Sequence, residues 1–130
     1  MPLTVQIVTP EREVVVAGDA TFILAHGIEG DIGILPGHAP LLIALGLGPL
    51  KIERGERSQR MLVEHGFLQV KDDNVIVLAE HAVLPDEVDA AALPAEIDDL
   101  RRRLQADAEA AELKMQLTRA EALQKLIQVG

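Results

Sequence analysis

The chain has 130 residues, 48% of them apolar, and a formal charge of −9; this suits one domain of ~100 residues with a small appendage. Phe22 and Phe67 are its only aromatics, so the core is built from Val, Ile, Leu and Ala, and no Tyr or Trp can stack on bases. With that net charge, a nucleic-acid partner is not expected. There is no cysteine, which excludes disulfide staples, thiolate catalysis and Cys-type metal centres.

Met1-Pro2-Leu3-Thr4 has neither a basic n-region nor an apolar h-region, so no secretory signal is expected. No apolar run approaches the ~20 residues needed to span a bilayer. The longest, residues 39–50, is broken by Pro40, Gly46, Gly48 and Pro49. The expectation is a soluble chain that meets a membrane only through a partner.

The first two-thirds alternate with a period near two, as strands do. Leu3, Val5 and Ile7 face one way, and Thr9-Pro10-Glu11-Arg12 is a turn. Residues 13–17 form a β-branched strand stopped by Gly18-Asp19, and residues 21–26 form another, closed by Gly27. Residues 41–45 are a short strand ended by Gly46-Leu47-Gly48-Pro49. Residues 50–54 and 59–65 flank a hairpin at Gly55-Glu56-Arg57, and Gly66 breaks the run. Residues 67–71 and 74–79 flank a second hairpin at Asp72-Asp73. Strands so closely spaced leave no room for crossover helices, which predicts antiparallel pairing in a sandwich or flattened barrel.

Between the third and fourth of these strands lies Gly30-Asp31-Ile32-Gly33-Ile34-Leu35-Pro36-Gly37-His38-Ala39-Pro40-Leu41-Leu42, with three glycines and two prolines. It reads as an ordered loop over the end of the β-structure. Clustered glycines also cradle phosphates, but no Lys-Ser/Thr follows them here, so the Walker reading fails.

The composition shifts near Pro85, which predicts a β-domain over 1–85 and a helical tail over 86–130. Leu93, Ile97, Leu100 and Leu104 fall on one helical face. Leu113, Leu117, Ala120, Leu123 and Ile127 form a second stripe. Asp107 could cap a second helix, but residues 105–109 contain no Gly or Pro. The tail is either a hairpin or one long helix.

Catalytic and metal-binding patterns are sparse. His26, His38, His65 and His81 make no His-x-His or His-x-x-x-His pair, although a small-ligand or metal-binding β-sandwich using His26, His38 or His65 is the alternative reading. Asp72-Asp73 beside Asn74 reads as a solvated turn. Ser58 is the only serine and sits in a hairpin, which leaves no Ser/His/Asp arrangement. Arg101-Arg102-Arg103 has Asp98 and Asp99 nearby for helical pairing.

Two stretches carry a family resemblance. The loop reads G-x-x-G-I-L-P-G-H-A-P-L-L over 30–42. Gly66-Phe67-Leu68-Gln69-Val70 is followed by Asn74-Val75-Ile76-Val77-Leu78-Ala79-Glu80-His81-Ala82. Together with Val5-Gln6-Ile7-Val8-Thr9-Pro10, these resemble the epsilon subunit of bacterial F-type ATP synthases over essentially the whole chain, with His65 where the family has a glycine.

The resemblance implies a ten-stranded antiparallel β-sandwich followed by a C-terminal two-helix hairpin. It implies a noncatalytic central-stalk subunit, without a catalytic cofactor or metal. Such a subunit binds the gamma subunit, sits on the c ring and lies peripherally on the cytoplasmic side of the bacterial plasma membrane. In many members the tail extends toward the catalytic alpha and beta subunits and suppresses ATP hydrolysis. Asp31 and His38 match family loop positions near the c ring. Some members bind ATP through I/L-D-x-x-R-A at the start of the tail. Here Val88-Asp89-Ala90-Ala91-Ala92 occupies that place, with Ala92 instead of the arginine. A similar string, Ile97-Asp98-Asp99-Leu100-Arg101-Arg102, lies nine residues later. Asp89 and Arg101 are the corresponding candidate ATP contacts.

Overall fold

The computed structural model describes residues 2–128. The described chain forms β1 (Leu3–Val8), β2 (Glu13–Ala20), β3 (Phe22–Gly27), β4 (Gly30–Ile34), β5 (Leu41–Arg54), β6 (Arg57–Lys71) and β7 (Asn74–Val83). A single 3-10 turn at Pro85–Glu87 precedes α1 (Leu93–Ala106) and α2 (Ala111–Gln128). The chain divides into two compact units between Val83 and Leu84.

The seven strands make one sheet in the order β2-β1-β7-β6-β5-β3-β4. β2 also touches β5, which is not its neighbour in the sheet. The sheet therefore folds over on itself and encloses a core between two layers. Leu3, Ile7, Ile23, Ile34, Leu50, Ile52, Met61 and Leu68 are wholly buried in it. β6 is buried on both faces from Met61 to Glu64, where it passes through the interior.

Seven strands stand where the resemblance implies ten; of the segments read from alternation, four merge into β5 and β6 because breaks anticipated at glycines do not occur, and β4 is added. β5 runs unbroken through Gly46, Gly48 and Pro49, and β6 runs through Gly66. Pro49 is tolerated because β5 loses register with β3 between Leu24 and Gly27, so its missing N–H falls where that ladder is interrupted. Gly66 (φ +146) marks a close approach instead: a Cβ there would collide with the Leu78 carbonyl oxygen and stand 2.8 Å from Ala79 Cα. Its neighbour His65 holds a left-handed φ of 54°, a region His tolerates better than β-branched residues do.

Two further expectations are corrected. The start of the glycine-proline stretch is a strand, because β4 pairs antiparallel with β3 from Ile23↔Ile34 to Gly27↔Gly30. Pairing is also not wholly antiparallel, since β1 lies parallel to β7 from Thr4↔Asn74 to Val8↔Leu78. Those two strands are joined by almost the whole domain, which is the long connection that parallel neighbours require.

The tail resolves as a hairpin. α1 ends at Ala106, and the amide of Asp107 donates to the Arg103 carbonyl, so Asp107 closes the first helix. Leu93, Ile97 and Leu100 are buried, as are Ala120 and Leu123. On the last turn Leu126 is the buried residue and Ile127 is only partly covered. The Arg101 guanidinium donates to Glu121 Oε2 at 3.3 Å and joins the two helices. Among the described residues, no helix is long and apolar enough to cross a membrane.

The Gly66 contact is expected to dominate local stability. Gly66→Ala should cost more than about 2 kcal/mol, because β6 and β7 must separate to admit the methyl group. His65→Gly should stay within about 0.5 kcal/mol of the parent, as relief of left-handed strain offsets the added entropy of the unfolded chain. Urea denaturation midpoints check both.

Candidate partner-binding site

One end of the sheet gathers the β3–β4 turn, the segment from Leu35 to Pro40 and the β6–β7 turn. Leu35-Pro36-Gly37-His38 is a β-turn closed by the His38 amide donating to the Leu35 carbonyl at 3.1 Å. Pro36 supplies the fixed φ of the second position and Gly37 the positive φ (84°) of the third, the pattern of a type II turn. The β6–β7 connection is a two-residue turn with Asp72 (φ 51) and Asp73 (φ 62) both left-handed, as a type I′ hairpin requires.

Asp73 does more than turn the chain. Its Oδ1 accepts the Gly37 amide at 2.6 Å, and its carbonyl accepts the Thr4 amide at 2.9 Å. One residue thus ties the Pro36–Pro40 segment and β1 to the β6–β7 turn. A short bond from an amide to a carboxylate is charge-assisted and stronger than a neutral one.

The two candidate contact residues fall in different hydrogen-bonded groups of this end. Asp31 is the second residue of β4 and accepts from His26 Nδ1 at 2.7 Å. His38 is half-buried, and its Nδ1 donates to the Ala39 carbonyl at 2.8 Å. His65 is exposed on β6. Among the described residues, no group of three or more His, Asp or Glu side chains is placed to hold a metal.

Beside this end lies an apolar surface that strand alternation alone could not assign. Ladder partners share a face. Ala44 pairs with Phe67 and Leu42 with Gln69 across β5 and β6; Phe67 pairs with Leu78 and Gln69 with Ile76 across β6 and β7. Leu68, Val70, Val75 and Val77, on the opposite face, are buried. Leu42 is 68% exposed, Phe67 55% and Leu78 56%. At its margin Leu42 also lines an open hollow with Ile28, Asp31 and Ile32. A contiguous apolar surface with a polar rim marks a protein contact.

The tail candidates have local partners. Asp89 Oδ1 accepts the Ala92 amide at 3.3 Å ahead of α1. Arg101 lies with Ala95, Asp98, Arg102 and Gln105 around a shallow hollow on α1, and its guanidinium is engaged by Glu121.

These features define a folded-over β-sandwich with a helical hairpin, displaying an apolar sheet face and a stiffened loop edge. Residues 2–85 match the family described as ATP synthase, Delta/Epsilon chain, beta-sandwich domain. The ATP synthase epsilon chain of Brevibacillus brevis is 41% identical over 103 residues, covering 78% of this chain and 77% of that one. That of Carboxydothermus hydrogenoformans is 38% identical over 102 residues, covering 78% and 75%. The chain belongs to the ATP synthase delta/epsilon chain family.

Solved structures share the fold. A chain of the Euglena gracilis mitochondrial ATP synthase (OSCP/F1/c-ring, rotational state 1) superposes with a TM-score of 0.78 at 19% identity, covering 98% of this chain and 80% of that one. A chain of the Tetrahymena thermophila mitochondrial ATP synthase central stalk and c-ring gives 0.58 at 25% identity, covering 69% and 72%.

The Asp73 clamp can be isolated by Asp73→Gly, which keeps the left-handed backbone and removes only the carboxylate. The Gly37 amide should then exchange with solvent about tenfold faster, equivalent to one charge-assisted hydrogen bond of roughly 1.4 kcal/mol. Hydrogen exchange followed by NMR reads this directly.

Proposed function

We propose that the chain is a noncatalytic rotor subunit of a proton-translocating F-type ATP synthase, in the central stalk, where it couples the gamma subunit to the c ring. The observation that carries this reading is the exposed face of Leu42, Phe67, Ile76 and Leu78 beside the polar edge that holds Asp31 and His38. A partner that stays bound through rotation is best held by apolar burial, since lasting interfaces are the more hydrophobic ones. The sheet face therefore takes gamma. The polar edge with Asp31 and His38 takes the loops of the c ring. The subunit is then peripheral, held by the complex at the cytoplasmic side of a bacterial plasma membrane.

Leu78→Glu and Phe67→Glu test the face, because both side chains already meet water and the fold does not depend on burying them. Each stands to contribute roughly 1 kcal/mol when covered, and a buried carboxylate adds a desolvation penalty. Each variant should bind gamma at least about tenfold more weakly on size-exclusion chromatography or calorimetry, with unchanged circular dichroism. If the parent chain and gamma form no complex, the proposal fails.

The hairpin supplies a regulatory element that can extend toward the catalytic subunits and inhibit hydrolysis. An ATP contact at Asp89 and Arg101 belongs to the same proposal. ATP would have to displace Glu121 from Arg101 and the Ala92 amide from Asp89. A rise in Tm at millimolar ATP, lost in Asp89→Ala and Arg101→Ala, supports that contact. No rise removes it.

A further inference from the structure

His26 and Asp31 face each other in register across the β3–β4 hairpin. The His26 Nδ1–H donates to Asp31 Oδ1 at 2.7 Å. The ring is seated by what the neighbouring strand lacks. A Cβ on Gly48 would stand 2.6 Å from both Cγ and Cδ2 of the imidazole. Room for the ring arises where β3 and β5 lose register between Leu24 and Gly27. The missing side chain of Gly48 and a break in the ladder thus form a slot for one imidazole.

The slot matters because of what the ring holds. An exposed aspartate samples several rotamers and loses that freedom on binding. Here one carboxylate oxygen is already engaged, and the side chain remains well exposed. We propose that His26 is a positioning residue: it fixes Asp31 in one rotamer and leaves the second carboxylate oxygen for a donor on the c ring. This rests on the reading of Asp31 as a c-ring contact. Gly48 acts one step further back, by admitting the ring.

Two measurements separate the positioning from the contact. The first uses the free full-length chain in alkaline buffer, where an ordinary imidazole is neutral. Ring ¹⁵N shifts report which nitrogen carries the proton, and the partner of the other atom sets that choice. His26 should be the Nδ1–H tautomer in the parent and revert to Nε2–H in Asp31→Ala. The same tautomer in both overturns the positioning, whatever the c ring does.

The second measures binding to detergent-solubilised c ring. Asp31→Ala should weaken it about fivefold and His26→Ala about threefold. His26→Asn, whose amide can donate from nearly the same place, should restore binding to near the parent value. His26→Ala should add nothing in an Asp31→Ala background, and Gly48→Ala should behave as His26→Ala does. Independent, additive effects of His26 and Asp31 overturn the proposal. Parent-like binding by Asp31→Ala with the tautomer change intact overturns the contact reading and, with it, the proposed use of the positioned carboxylate.

Discussion

The fold depends on β5 and β6 remaining paired over their full length. Each also presses closely on its other neighbour, at a position that carries no Cβ. Gly66 lets β6 press against the Leu78 carbonyl of β7, and Gly48 lets β5 pass beneath the His26 ring. A side chain at Gly66 would push β6 away from the β7 backbone, whereas one at Gly48 would meet only the His26 side chain. Close approach of backbones sets the architecture, and aliphatic packing fills it.

Much of this was legible in the sequence. Period-two alternation located the strands, and the shift in composition near Pro85 located the helical tail. The glycines were misread because a glycine that ends a strand and one that permits a close approach look the same in one dimension. Gly46, Gly48 and Gly66 serve strands that continue, which is why two pairs of expected strands merge into β5 and β6. The parallel β1–β7 pair was equally invisible, since it joins segments some seventy residues apart and local pattern cannot report it.

The proposed contact surface was only partly legible. The Gly30–Leu42 stretch was recognisable as structured, and Asp31 and His38 could be singled out within it. Asp72-Asp73 read as an ordinary turn, whereas the Asp73 carboxylate reaches Gly37, thirty-six residues away. Alternation put Phe67 and Leu68 on opposite faces, but nothing in the order of residues says which face another layer covers. In the tail, the stripes named the apolar face and left the number of helices open. The break at residues 107–110 comes from a helix end closed on Arg103 without any Gly or Pro.

The two bonds of Asp73 bear on how the domain carries load. Force applied to the Pro36–Pro40 segment need not travel along the chain through β4 or β5. It can cross at the Gly37 amide into the β6–β7 turn and pass from the Asp73 carbonyl into β1. From there it runs along strands, where many ladder bonds share it in shear instead of opening one after another. A rotating subunit pushed repeatedly at one edge would gain stiffness from such a short-circuit, and a single carboxylate in a two-residue turn provides it.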